Sequence, residues 1–286
     1  MKWTTLVSCE DLAANLQAPD IRIVDARFVL AGADPGAGES LWREGHIPGA
    51  GYVHLDRDLA DLGKPPSHGR HPIPEASKFC AVLERLGISA DSQVVVYDAA
   101  DGAMAAARLW WLLKLLGHRH VAVLDGGFAR WTSLGLPVTA DTTTHATAHY
   151  VGVFDATQFV GTDEVADALA QGDACLIDAR ASDRFRGEVE PLDRAAGHIP
   201  GARNRPFSAN LSEGRFRSRE ELKAGFDAIR EDRDASQVLL SCGSGVTACH
   251  NLLAMEHAGL HGARIYAGSW SAWISDPARP LATGPD

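Results

Sequence analysis

No run of the 286-residue sequence approaches about 18 uninterrupted apolar residues, so a membrane-spanning helix is excluded. Positive charge is in short supply. The 27 Lys and Arg side chains stand against 37 Asp and Glu, a formal charge of −10, which argues against a nucleic-acid partner in need of a basic face. The opening residues Met1–Glu10 lack the apolar core of a secretory signal. Cysteine is sparse as well: Cys9, Cys80, Cys175, Cys242 and Cys249 are odd in number, widely spread and without a C-x-x-C pair. Neither a disulfide scaffold nor a zinc cluster is expected, and the expected compartment is a reducing cytoplasm. What is present is a globular composition, 45% hydrophobic and 22% charged, in a chain about two domains long.

The strongest positive signal is an internal repeat. Gly45-His46-Ile47-Pro48-Gly49-Ala50 recurs letter for letter as Gly197-His198-Ile199-Pro200-Gly201-Ala202. Upstream, Ile23-Val24-Asp25-Ala26-Arg27 matches Leu176-Ile177-Asp178-Ala179-Arg180. Downstream, Val94–Asp98 matches Val238–Cys242, and Gly126-Gly127-Phe128 parallels Gly268-Ser269-Trp270. Four matches in one order mean duplication. Short apolar runs at Val94–Tyr97, Val121–Leu124, Cys175–Ile177 and Val238–Ser241 read as buried parallel strands, and Ala103–Leu116 and Val246–Ala258 as helices. The expected fold is α/β, a tandem duplication in which each domain is a mostly parallel sheet flanked by helices. The expected boundaries are 1–138 and 152–286, joined by a Thr- and Ala-rich linker over 139–151.

Chemistry concentrates in Ser241-Cys242-Gly243-Ser244-Gly245-Val246-Thr247-Ala248, between a strand and a helix. Cys242 then sits at the carboxyl end of a strand, where open α/β sheets bind ligands. Gly243 and Gly245 let the loop curl so that the N–H groups of 243–247 converge, and the helix that follows adds the positive end of its dipole. Such a cradle favours an anion, and the thiolate is the nucleophilic form of cysteine. A small buried cysteine in a turn is the plain structural alternative. The other four cysteines have no such setting and read as packing. Phosphate chemistry of the Cys-x5-Arg kind is disfavoured, because the position of its arginine holds Ala248. Sulfur transfer, in which the thiolate becomes a persulfide, fits better.

These boxes resemble the two-domain rhodanese family of sulfurtransferases, over nearly the whole chain. Family members that use thiosulfate carry cations in the cysteine loop. Cys-Gly-Ser-Gly-Val-Thr is similar instead to the 3-mercaptopyruvate branch. The resemblance implies transfer of sulfur from 3-mercaptopyruvate through Cys242 to a thiol or cyanide, with pyruvate released and no metal or organic cofactor. It implies a proton-handling set of Ser244, His71 and Asp56, with Asp58 as a rival acid, and a donor clamp of Arg184 and Arg194. It also implies that Gly243, Gly245, Val246 and Thr247 offer their amides to the persulfide. Arg194 departs by one residue from the family's common spacing after Glu190-Pro191. Judged alone, His71 and Asp56 read as an exposed loop histidine and a solvated turn carboxylate, and each arginine as an ordinary surface charge. Asp98 occupies the cysteine slot of the first half, which is therefore expected to be catalytically silent. Asp25, Asp178, His46 and His198 recur in both halves and read as framework, and Trp131, Trp270 and Trp273 as core or interface aromatics. Two other readings are thiosulfate:cyanide sulfur transfer and a non-catalytic persulfide carrier serving a small thiol or a thioredoxin-like protein.

Overall fold

Stretches of four or five residues that are apolar on both faces can be satisfied only between two layers of helices, and the chain builds two such sheets. The structure, a computed structural model, describes residues 2–29, 34 and 36–285. The first sheet contains β1 (Leu6–Val7), β2 (Ile21–Asp25), β3 (Ala50–Tyr52), β4 (Gln93–Tyr97) and β5 (Val121–Leu124). The second contains β6 (Phe159–Val160), β7 (Cys175–Asp178), β8 (Arg203–Asn204), β11 (Val238–Ser241) and β12 (Arg264–Tyr266); two short strands, β9 (Leu211–Ser212) and β10 (Arg215–Phe216), lie outside both sheets.

The duplication reappears as topology. The strand orders are β1-β5-β4-β2-β3 and β6-β12-β11-β7-β8, and every neighbouring pair is parallel. Even the register repeats, with Asp25 opposite Tyr97 in one sheet and Asp178 opposite Ser241 in the other. The residue after β4 is Asp98 and the residue after β11 is Cys242, so the two slots are equivalent in space. The helices Ala105–Leu115 and Ala248–His257 follow those slots. They start two residues later than the sequence pattern suggests, because the loops occupy the extra positions.

The repeated boxes hold each half together in the same way. Asp25 accepts from Arg27 Nε at 2.9 Å and Asp178 from Arg180 Nε at 3.0 Å. All four of these residues are buried, a setting that ion pairs tolerate only when they are hydrogen-bonded as fully as this. His46 Nδ1 lies 2.7 Å from the Trp42 carbonyl, and His198 Nδ1 lies 2.8 Å from that of Phe185. Each histidine also exchanges main-chain hydrogen bonds with the strand-like return at Thr139 or Ala282. Trp131, Trp270 and Trp273 are core residues whose indole N–H groups reach the carbonyls of Pro137, Ala195 and Pro280.

By packing, one compact unit comprises 1–61, 74–155 and 213–216, and the other 62–73, 156–212 and 217–286. Residues 62–73, numbered within the first half, thus belong to the second unit. Arg70 N–H donates to Ser271 Oγ at 2.9 Å, and the left-handed Gly69 (φ +87°) sits where a β-carbon would be 2.5 Å from the Gly268 carbonyl oxygen. A boundary drawn along the sequence does not anticipate this, because those partners lie some 200 residues away. Residues 140–155 carry no helix or strand.

Candidate active site

Cys242 is 2% exposed, at the end of β11, and its loop is tied on two sides. Its carbonyl accepts from Trp270 N–H at 3.0 Å and the Gly243 carbonyl from Ser271 N–H at 2.9 Å. The Cys242 N–H donates to Ser269 Oγ at 3.1 Å. Gly245 N–H donates to Cys242 Sγ at 3.1 Å, so an amide of the 243–247 loop meets the sulfur. Gly245 has φ +76°, and a β-carbon there would be 2.2 Å from the Ala267 carbonyl oxygen. Only glycine makes that approach. Val246 is buried and Thr247 half-buried, at the N-terminus of the helix Ala248–His257.

Two residues along the loop from Cys242, Ser244 Oγ lies 2.7 Å from His71 Nδ1, and Ser244 is 5% exposed. The structure therefore brings His71, on the segment 62–73 that packs with the second unit, to the loop that carries Cys242 and Ser244. Asp56 is half-buried in the helix Leu55–Asp58 of the first unit. Its rival Asp58 is engaged locally: it accepts from His54 N–H at 2.8 Å and pairs with Arg57 and Arg85.

Three arginine side chains approach Gly243, two of them through a guanidinium nitrogen and Arg180 through its methylene stem. A β-carbon on that residue would lie 3.3 Å from Arg70 Nη2, 3.7 Å from Arg184 Nη2 and 3.8 Å from Arg180 Cδ. Arg184 Nη2 pairs with Glu190 at 2.7 Å and Asp193 at 3.4 Å, and Arg70 pairs with the same Asp193. Arg184 Nε is buried and has no hydrogen-bond partner among the described residues, so a donor N–H remains for a ligand to satisfy. Burial acts to raise both acids. For Glu190 the Leu192 and Asp193 amides and Arg184 outweigh it and hold the carboxyl below its ordinary range, whereas Asp193 stays raised despite Arg70. Burial opposes the charge of Arg180 too, but Asp178, Glu190 and the neighbouring Cys242 outweigh it and keep the guanidinium firmly protonated.

Arg194 is exposed and lines an open surface pocket with Arg70, Asp193 and Ser271. The arginines against the cysteine loop are Arg70, Arg180 and Arg184; of these the family resemblance implies Arg184 as a donor-binding residue, and the sequence shows Arg180 as part of the repeated box. Arg70 is adjacent to His71, but nothing local says that its side chain turns toward residue 243. Cys9, Cys80 and Cys175 turn their sulfurs toward the main-chain carbonyls of Asp125, Gly152 and Ile229. Burial pushes the Cys9 thiol up to about 11 and raises those of Cys80 and Cys175, and Cys249 donates to the Gly245 carbonyl at 3.3 Å. These are packed thiols. No helix among the described residues is long and apolar enough to cross a membrane, and no group of His, Cys, Asp and Glu among them is arranged to hold a metal ion.

The rhodanese-like domain model matches twice, over residues 8–134 and 161–276. A probable 3-mercaptopyruvate sulfurtransferase of Pseudomonas aeruginosa is 45% identical over 286 residues, covering 99% of this chain and 100% of its own. The thiosulfate sulfurtransferase of Bos taurus is 34% identical, over 95% and 92% of the two chains. Among solved structures, the crystal structure of SseA from Escherichia coli, a 3-mercaptopyruvate sulfotransferase with the rhodanese fold, superposes with a TM-score of 0.80 at 32% identity over 94% of this chain and 99% of the other. Two copies of one domain, two sheets of one strand order and full-length relatives agree: the chain belongs to the rhodanese family of sulfurtransferases.

Proposed function

We propose that this chain transfers sulfur from 3-mercaptopyruvate to a thiol acceptor through a persulfide on Cys242. The observation that carries the reading is the 2.7 Å pairing of His71 Nδ1 with Ser244 Oγ, two residues along the loop from the cysteine. In the first half-reaction the Cys242 thiolate attacks the donor's sulfur. An S–S bond forms, the donor's C–S bond breaks, and its electron pair passes to carbon as the enolate of pyruvate. That carbon needs a proton, which thiosulfate as donor would not. Ser244 and His71, with Asp56 as third member, form the proton-handling set. Arg184 holds the donor's carboxylate, a task that suits a planar guanidinium that keeps its charge, and Arg194 is the second arginine of this reading. The amides of Gly243, Gly245, Val246 and Thr247 carry the negative charge of the persulfide. The acceptor's thiolate then attacks the outer sulfur, the S–S bond breaks, and the Cys242 thiolate returns.

The names of the Pseudomonas and Escherichia relatives support this donor. Thiosulfate is the second reading, favoured by the arginines around Gly243 and by the Bos taurus relative. The ratio of kcat/KM for the two donors decides between them. A small thiol or a thioredoxin-like protein in the cytoplasm is the proposed acceptor. Treating the protein with 3-mercaptopyruvate and digesting it should show one added sulfur, on the peptide that contains Cys242, with pyruvate released in equal amount. Sulfur on another cysteine, or none, would overturn the reading.

A further inference from the structure

Three described residues other than glycine have positive φ: Glu213, Glu231 and Ser269. The two glutamates are exposed, whereas Ser269 is fully buried at φ +51°, a conformation that serine disfavours. The duplication supplies an internal control. The equivalent residue in the first half is Gly127, at φ +55°. Around both positions the same main-chain bonds are made: Phe128 and Ala129 donate to the carbonyls of Asp98 and Ala99, as Trp270 and Ser271 donate to those of Cys242 and Gly243. In the first half a β-carbon at 127 would lie 2.6 Å from the Ala100 carbonyl oxygen and 2.8 Å from that of Asp98. That loop has no room for a side chain. In the second half the loop admits one, at a backbone conformation that glycine would adopt without strain.

What serine adds over glycine is its hydroxyl. Ser269 Oγ accepts from the Cys242 N–H at 3.1 Å, donates to the Tyr266 carbonyl at 2.8 Å, and lies 4.0 Å from Cys242 Sγ. One side chain thereby links the end of β12 to the main chain of the cysteine itself. We propose that Ser269 is a positioning residue for the nucleophile: it fixes the Cys242 backbone so that Sγ faces the Gly245 N–H. The proposal rests on Cys242 being the sulfur carrier. A purely structural role, satisfying one buried amide, predicts different behaviour.

The test compares Ser269→Gly and Ser269→Ala in the full chain, because both remove the hydroxyl and only alanine keeps the backbone strain. Positioning predicts that kcat falls about 10-fold in both variants with KM for the donor within about twofold, since small misplacements of reacting atoms act on turnover. Alkylation of Cys242 by iodoacetamide at fixed pH should slow in both to the same extent, while thermal stability ranks glycine above alanine. If activity and alkylation instead follow stability, with the glycine variant close to wild type, the proposal is overturned. Should the alanine variant fail to fold, glycine against wild type still decides. The alkylation readout needs no sulfur donor. A wild-type protein that gains no sulfur therefore refutes the functional reading above without touching this comparison, and an unchanged alkylation rate refutes this proposal alone.

Discussion

At Asp98 and at Cys242 equivalent strands run into loops with different contents. The first loop is closed upon itself: the Asp98 carboxylate accepts from the N–H groups of Gly102 at 2.9 Å and of Ala100 and Met104 at 3.3 Å. The converging amides that would receive an external anion are thus used by a side chain of the loop. In the second loop the occupant is a sulfur that accepts from the Gly245 N–H, in a loop that also has a serine paired with histidine and three arginines around Gly243. The frame is shared down to the cross-strand register, so the frame alone does not make a sulfur site. What distinguishes the two loops is the side chains they hold, Asp98, Ala99 and Ala100 against Cys242, Gly243 and Ser244, together with the space the second leaves at Ser269.

The largest expected effect comes from exchanging the contents. Cys242→Ser should lower turnover with 3-mercaptopyruvate by on the order of 10³-fold or more, the scale on which a nucleophile is lost. Combining it with Asp98→Cys should restore nothing, since the first loop has Ala99 and Ala100 where the second has Gly243 and Ser244. Mass spectrometry that found an added sulfur on residue 98 of the double variant would break the comparison. A smaller and more selective effect is expected at Ser244. Ser244→Ala should lower kcat/KM for 3-mercaptopyruvate by about 10²-fold, the usual weight of a proton-transfer group, and for thiosulfate by much less. Equal losses with the two donors would remove the proton-handling role.

The smallest effect is one of stability, and it sharpens the picture of the closed loop. Burial, aided by the nearby Asp101, pushes the Asp98 carboxyl up to about 6 against the opposing amides. A folded-state value above the unfolded one means that the fold favours the neutral acid. This stabilisation is complete below about pH 4 and is lost as pH rises through 6. At 1.36 kcal/mol per unit, the loss amounts to about 3 kcal/mol at most. Asp98→Asn, neutral throughout, should therefore gain stability relative to wild type between pH 4 and pH 7. Denaturant melts at several pH values would read the trend, and a difference that stayed flat across that range would refute it.

The parts of the fold that were legible in the sequence are those with local causes. The strand Val121–Leu124 has the residues that its unbroken apolar run suggests, and β4, β7 and β11 end where Asp98, Asp178 and Cys242 bring polar chemistry. Asp25 with Arg27, and Asp178 with Arg180, are two residues apart, so their pairing is a short-range event written into the box. The cysteine loop was legible for the same reason. Ser269 left a trace, since Gly126-Gly127-Phe128 has a glycine where Gly268-Ser269-Trp270 has the serine, but a letter change does not reveal that the hydroxyl reaches Cys242, 27 residues away. Arg70 left none. Its place beside Gly243 depends on a return of the chain over more than 170 residues, and local pattern carries no information about such a return. Arg194, whose position beside Glu190 and Pro191 is a matter of spacing, is exposed in the fold.

The letters by themselves determined that there are two copies of one unit, that each is a parallel sheet between helices, and that one copy has a thiol where the other has a carboxylate. Periodicity, duplication and the identity of a single atom are properties of neighbouring residues. Tertiary structure alone decided that residues 62–73 pack with the second unit, that His71 meets Ser244, and that Arg70 and Arg184 flank Gly243. It also decided that a serine is held at positive φ to grip the amide of Cys242. Those outcomes follow from burial and hydrogen-bond satisfaction summed over distant segments, and they exist only once the whole chain has closed.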